Sequence, residues 1–350
     1  MPYVFATFFA WAKNFFLSSM LLSTYLFSII IMLSSASSTL AEVSCPARPT
    51  VQLKDQGLEA VGIIKPNGIV AAQGILSYSD KSENKIALTT GYWDNNATIL
   101  SGDAFDDIKH KNLSTKTPSG MIASVFKQNG NLWWTSYREK VVFVTDLSGE
   151  NSTSISTPNL IGPVGLTGDP ETGLILIPSR DKEKKIYIFD EKNPTRQFVL
   201  KLKGMNSAPY DIDFYKGCLF LVESNEAKIW TLEMDDILEN IREIQENEDS
   251  FFGNLFTSYD LKPQIWFSKL NRPQHQFIHK EMLYVMDTGD FSVIKIGLEK
   301  GSFQKLTLPI QHIFRGLTVT SEGEIMLTGF QDTEEIKESR TAIFRMSEVN

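Results

Sequence analysis

The stretch APYDIDFYKGCLFLVES, residues 208–224, places Asp211 and Asp213 two residues apart and ends its apolar run at Glu223. Carboxylates so placed could exchange protons with a substrate. They could equally serve geometry alone, accepting hydrogen bonds from backbone amides as turn aspartates do. Asp213 lies beside FYKG and is expected to take the amides of that turn. The rest of the chain narrows the chemistry. His110, His275, His279 and His312 show no metal-ligand spacing such as HExxH. There is no GxSxG, no P-loop and no thiol-nucleophile arrangement.

What must position these acids is legible in the same stretch. Apolar residues alternate through YDIDF, FYKG is a short turn, and CLFLV is an unbroken apolar run, the pattern of two strands joined tightly. Related phrases start at Gln73 (QGILSYSDKSENKIALTT), Ile122 (IASVFKQNGNLWWTS), Val164 (VGLTGDPETGLILIPS), Gln276 (QFIHKEMLYVMDTGD) and Arg315 (RGLTVTSEGEIMLTG). Their second strands begin near Lys85, Leu132, Leu174, Leu219, Leu283 and Ile325, at intervals of 47, 42, 45, 64 and 42 residues. Multi-strand periods of about 40–50 residues predict propeller blades.

Third strands follow as KVVFVTD, KIYIFDE, KIWTLEM, SVIKIGL and TAIFRMS, and fourth strands as RQFVLKL and FQKLTLP. Six second strands predict an all-β, six-bladed β-propeller over residues 42–350. The last blade lacks a fourth strand, and TVQLKD (Thr50–Asp55) precedes the first repeat without a partner. That N-terminal strand is expected to close the last blade and leave no open edge. After KIWTLEM, Ile237, Ile241 and Ile244 follow at helical spacing behind Asp235 and Asp236, which predicts a helix inserted in the fourth blade, on its rim. In NLWWTSY, one ring of Trp133-Trp134 is expected to face the neighbouring blade. Glu281 and the acids of DTGD (Asp287–Asp290) read as solvated turn residues.

The N-terminus differs from the rest. Residues 15–33 are apolar and uncharged, Lys13 precedes them, and SSASSTLA ends in the small residue Ala41. This order reads as a signal segment over residues 1–41, and its length also suits an uncleaved anchor. The whole chain carries a net charge of −8, and without Lys13 the remainder holds 33 basic against 42 acidic residues, a net −9. That balance argues against nucleic acid or anionic lipid as a partner; a membrane enters only if the N-terminal segment is retained. Cys45 and Cys218 could pair in an oxidising compartment or remain two free thiols, one of them buried. Asn96, Asn112 and Asn151 head N-x-S/T sequons in polar connecting segments, as expected of a glycosylated protein of the secretory route.

The phrases PYDIDFYKGCLFLVES, VGLTGDPETGLILIPS and RGLTVTSEGEIMLTG resemble the repeat of the secreted six-bladed propellers. That group includes NHL-repeat proteins, YWTD propellers and gluconolactonase/strictosidine-synthase-like enzymes. The resemblance is architectural: no copy has the Tyr-Trp-Thr-Asp phrase, and the EGF-like cysteines that flank YWTD propellers are missing. It implies that first strands line a channel and that residues at their starts meet at one mouth. Those are Gln73, Met121, Val164, Tyr210, Asp211, His275 and Arg315. The gluconolactonase-like enzymes hold a divalent metal there, so the resemblance implies a cation such as Ca2+ on Glu59, Asn159 and Asp211. Here those positions read Leu58-Glu59-Ala60, Pro-Val-Gly and Pro-Tyr-Asp, unlike the Glu-Gly-Pro and Asn-Gly phrases of such enzymes. An alternative pairs Asp211 with Arg315 across the ring. Two functions follow from different classes. One is a secreted binding or scaffold protein that takes a small-molecule ligand or an extracellular protein at the mouth or rim. The other is an enzyme acting on a small lactone, ester or iminium substrate, with Asp211 and Glu59 as catalytic groups.

Overall fold

The computed structural model describes residues 44–65, 73–80, 83–89, 97–101, 109–113, 122–137, 140–148, 150–248, 259–309, 313–330 and 341–349. The N-terminal segment 1–41, Asn96, Met121 and His312 lie outside them. The first elements among the described residues are β1 (Val51–Gln52) and β2 (Gln56–Ile64). A first antiparallel sheet holds β3 (Ile75–Asp80), β4 (Glu83–Thr89), β5 (Ala97–Ser101) and β6 (Lys109–Leu113). A second holds β7 (Ile122–Gln128), β8 (Asn131–Ser136), β9 (Val141–Asp146) and β10 (Ser152–Ser156). In the third, β11 (Thr167–Asp169), β12 (Leu174–Ser179), β13 (Lys185–Asp190) and β14 (Asn193–Leu202) follow in order.

The fourth contains β15 (Asp211–Tyr215), β16 (Cys218–Glu223) and β17 (Lys228–Glu233). Helix α1 (Met234–Glu248) comes next, then β18 (Asp260–Leu261), which runs parallel to β14. The fourth sheet ends with β19 (Gln264–Phe267) on β17. A nine-stranded sheet contains the rest. One antiparallel run is β20 (Pro273–His279), β21 (Met282–Asp287), β22 (Ser292–Gly297) and β23 (Ser302–Thr307). The other is β24 (Ile313–Val319), β25 (Ile325–Phe330), β26 (Thr341–Glu348) and β2, joined to the first where β2 runs parallel to β23.

Each second strand falls where its apolar run predicts it. LILIPS and CLFLVE are buried at every position, because sheets stacked on both sides leave such a strand no solvent face. That demand turns the usual alternation into a continuous apolar run. Two-residue turns link β7 to β8, β15 to β16 and β20 to β21, and Lys216-Gly217 adopts φ 44° and 75°. Positive φ at both central residues matches the twist of the flanking strands, and glycine takes it without steric cost.

The apolar cores lie between consecutive sheets. Leu76, Tyr78 and Ala87 pack with Leu132, Trp134 and Phe143, while Trp133 packs on the other side of β8 with Leu166, Ile175 and Tyr187. Both adjacent tryptophans are therefore core residues. Ile64, Met326 and Ile343 meet Ile75, Ile86 and Leu88, so the last run rests on the first sheet. The first strands neighbour one another in chain order, and β24 lies beside β3.

One expectation changes in detail. The strand that completes the last run is β2, pairing Leu58 with Glu348 and Ile64 with Ile343. Within Thr50–Asp55, only β1 is a strand, and it lies parallel to β23 instead. Closure thus uses the next segment along, whose Leu58 and Ile64 supply the buried apolar positions that the short, exposed β1 lacks. Helix α1 is anchored by its apolar face. Ile237 and Ile241 are buried among Leu200, Leu202, Leu232 and Leu261, each contributing about 1.5–3 kcal/mol of burial. Asp235 and Asp236 sit in its first turn, favourable against the helix dipole.

Cys45 and Cys218 form a disulfide, although Cys218 is fully buried on an inner-sheet strand. Cys45 reaches it by packing into the core between the fourth sheet and the β20–β23 run.

Candidate functional site

In four of the six second strands the polar residue that ends the apolar run has a specific task. Thr89 Oγ1 accepts the Gly74 amide at 2.5 Å, and Ser179 Oγ accepts the Ile161 amide at 3.1 Å. The Glu223 carboxylate takes the Ser207 amide and hydroxyl, with the Trp230 indole N–H donating to its other oxygen at 2.6 Å. Asp287 accepts the amides of Asn271 and Arg272 at 2.8 and 2.7 Å. In every case the strand end holds the segment that leads into the first strand of its own sheet. A small or acidic acceptor is needed there because those loop amides are withdrawn from water without a ladder partner. Asp287 is 1% exposed, so it is a buried acceptor and not a solvated turn residue; Asp290, bonded to Asn271 and Lys305, fits that description.

Asp211 and Asp213 share the side of β15 that faces β20. Asp211 Oδ2 accepts the Gln276 amide at 3.0 Å, and Asp213 Oδ2 accepts the Ile278 amide at 2.7 Å. Carboxylates two residues apart thus meet amides two residues apart, replacing a sheet ladder between strands of different sheets. The other oxygen of each takes the next amide in its own strand, Ile212 at 2.9 Å and Phe214 at 2.8 Å. The Thr167 hydroxyl adds a bond to Asp213 from the third sheet at 3.4 Å. Of the FYKG amides Asp213 therefore takes only that of Phe214, still within β15, and spends its second oxygen on a neighbouring sheet.

Burial raises the Asp213 pKa to about 7, with the Asp211 charge adding to it against the opposing hydrogen bonds. Because this value lies above the ordinary 3.8, the unfolded chain releases the proton first. The stability Asp213 contributes is whole below that lower value and is lost as pH rises through about 7. Urea midpoints should accordingly fall from pH 5 to pH 8 more steeply for the wild type than for Asp213→Asn. Parallel profiles would contradict the assignment.

Near these staples the starts of the first strands are irregular. The ladder slips by one residue between Pro273 and Gln276, between Phe314 and Gly316, and between Ile122 and Ser124. Such bulges re-aim side chains out of strand alternation. His275 and Arg315 both sit in them. His275 Nδ1 lies 3.4 Å from Asp211 Oδ2, and its ring meets Tyr210 edge-on with centroids 5.4 Å apart. Above Tyr210, the Arg180 guanidinium stands 5.0 Å from the ring centroid, within cation–π range. Tyr210 is half-buried and Arg180 exposed, while Asp211 and His275 are buried.

The sequence candidates separate accordingly. Tyr210, Asp211 and His275 come together, and Arg180, which no sequence signal marked, joins them from the end of β12. Gln73 is buried where its amide bonds the Thr89 carbonyl. Arg315 is half-buried beside Gly316, where a Cβ would lie 2.8 Å from the Gln73 carbonyl. Glu59 is exposed on β2, the outer strand of its run, and accepts the Ser347 hydroxyl at 3.4 Å. It is not brought to Asp211. Asn159 is exposed in the loop before β11, and its carbonyl accepts the Tyr187 hydroxyl at 2.7 Å. Among the described residues no three His, Cys, Asp or Glu side chains gather as a metal cluster. Asn112 lies on β6 and not in a loop, while Asn151 occupies the turn before β10.

No family model matches this sequence, and no curated protein matches it. Solved structures do. A streptogramin B lyase shares 14% identity over 83% of this chain and 97% of its own, with a TM-score of 0.56. Virginiamycin B lyase from Staphylococcus aureus shares 12% over 84% and 100%, with a TM-score of 0.55. A chain of the nidogen/laminin complex shares 13% over 68% and 80%, with a TM-score of 0.51. At such identities the likeness speaks for fold alone, and it agrees with the curled sheets and the neighbouring inner strands: this chain is a β-propeller.

Proposed function

We propose that this chain is a secreted six-bladed propeller that binds a small planar ligand bearing an anionic or carbonyl group at the Arg180–Tyr210–His275 cluster. The observation that carries this reading is the half-buried Tyr210 ring, held edge-on by His275 and overlaid by an exposed guanidinium. Arg180 offers planar donors for a carboxylate or carbonyl, and the ring beneath offers an apolar face. Asp211 does not repel such a ligand strongly, because its charge is met by two backbone amides and the imidazole. Six second strands, with β24 returning to β3, support the blade count. The apolar N-terminus, the disulfide and the sequons support secretion.

The test is a thermal-shift series with benzoate, phenylacetate and indole-3-acetate on the secreted protein, repeated on Arg180→Glu and Tyr210→Ala. The expected result is a concentration-dependent rise in the wild-type midpoint that both variants lose. Equal responses in all three proteins, or none in any, would reject the site.

One observation favours catalysis as a second reading. Asp211 Oδ2 lies 3.4 Å from Nδ1 of His275, and a carboxylate that orients an imidazole through one nitrogen would let the other act as a base. Two of the similar structures are lyases, and elimination needs a base. Conversion of a bound compound by the wild type, abolished in His275→Gln with binding retained, would establish it; recovery of every ligand unchanged would leave a binding protein.

A further inference from the structure

The outer strand of each blade presents unpaired backbone groups, and such edges pair with other chains unless something blocks them. Most of these edges have an identifiable block. β14 pairs with β18 at Lys201 and Leu202 and carries Pro194 and Arg196 farther along, and β23 pairs with β1 and β2. β6 carries Lys109 and Lys111, β19 follows Lys262 and Pro263, and β2 carries Glu59. Among the described outer strands, β10 differs. Its sequence is STSIS, without charge or proline, exposed at four of five positions and paired as a strand only with β9, although Gln197 Nε2 donates to the Ser156 carbonyl at its far end at 3.2 Å. The residue immediately before it is Asn151, and Asn151, Ser152 and Thr153 are all exposed.

We propose that Asn151 carries an N-linked glycan and that this glycan shields the β10 edge from pairing with a second copy of the chain. The inference rests on the secretory reading above. In the modification, the Asn151 amide nitrogen attacks the anomeric carbon of a lipid-pyrophosphate-linked oligosaccharide. The bond from that carbon to the pyrophosphate oxygen breaks, the pyrophosphate leaves, and the amide loses one proton. One N–H remains on the nitrogen, so its hydrogen bond to Asp146 Oδ2 at 2.6 Å is compatible with the product. Asp146 also takes the backbone amides of Glu150 and Asn151 at 3.0 and 3.3 Å. These bonds fix the turn and set the glycan's attachment point at the end of the open edge. Inside the same edge only Ile155 is buried, so the strand has little side-chain packing to discourage a partner.

The test uses the full chain expressed through a eukaryotic secretory route. Peptide mapping after PNGase F should find Asn151 converted to Asp in the secreted wild type, which should elute as a monomer in size-exclusion chromatography. Thr153→Ala removes the sequon but keeps Asn151 and its bond to Asp146; it should lose the monomer peak to larger species. Thr153→Ser keeps the sequon and should behave as the wild type. Adding Ser154→Lys to Thr153→Ala should restore the monomer by placing a charge on the bare edge. A chain retained in the cytosol would overturn the secretory reading and this proposal together. A secreted wild type with Asn151 unmodified, or a Thr153→Ala protein that stays monomeric, would overturn this proposal alone.

Discussion

Replacing Cys45 and Cys218 together by alanine is expected to lower the unfolding free energy by about 2–5 kcal/mol, the usual cost of removing a native disulfide. The bridge spans 173 residues, so the oxidised unfolded chain carries a large constraint that the variant lacks. It also secures a strap. From Cys45 the chain passes beneath Trp266, whose indole donates to the Pro46 carbonyl at 2.7 Å. Thr50 and Leu53 then donate to the Gly301 and Phe303 carbonyls, each at 2.8 Å, before β2 completes the last run. Releasing the strap at Cys45 therefore loosens the lead-in to the strand that joins the two ends of the chain. Guanidinium unfolding of the wild type with and without reductant, alongside the double variant, checks this. Reduced wild type and variant should coincide, and the oxidised wild type should stand well above both. Coincident curves in all conditions would show that the bridge contributes nothing.

Gly165→Ala is expected to cost at least about 3 kcal/mol, the upper end for forcing extra atoms into a packed interior. A Cβ there would fall 2.1 Å from Asp211 Oδ1, 2.8 Å from the Asp211 Cα and 2.9 Å from the Ile212 nitrogen. Backbone atoms supply two of these contacts, so no side-chain rotation relieves them. The substitution must push the segment leading into β11 away from β15, and with it the carboxylate that holds the Gln276 amide. Gly173→Ala is the matched control: its φ is +75°, and a Cβ there meets nothing, so only the backbone strain of about 1 kcal/mol applies. Similar losses at both positions would mean that the approach of β15 to Gly165 is not tight in solution.

The limits of sequence reading can be traced residue by residue. The run CLFLV announces a buried strand because its surroundings demand apolar side chains at every position, a demand written locally. The acids of YDIDF carry no comparable local record. Whether Asp211 bonds an amide of β20, a histidine or a cation depends on which strand is brought beside it, and Gln276 lies 65 residues away. Arg180 escaped notice for the same reason, since an arginine at a strand end is unremarkable until Tyr210 is folded beneath it. The pairing of Glu59 with Asp211 came from resemblance, and the placement of β2 on the outer side of β26 separates them.

The spacing of the second strands, the repeat, the inserted helix and the polar residues ending most apolar runs were settled by the amino-acid sequence itself. Each follows from side-chain burial and backbone preference within a few neighbouring residues. Tertiary structure alone decided that β2 and not Thr50–Asp55 completes the last run, that Cys45 meets Cys218, and that Asp211 and Asp213 fasten β15 to β20. These contacts join segments tens to hundreds of residues apart, and their energy depends on positions in space that no local pattern specifies.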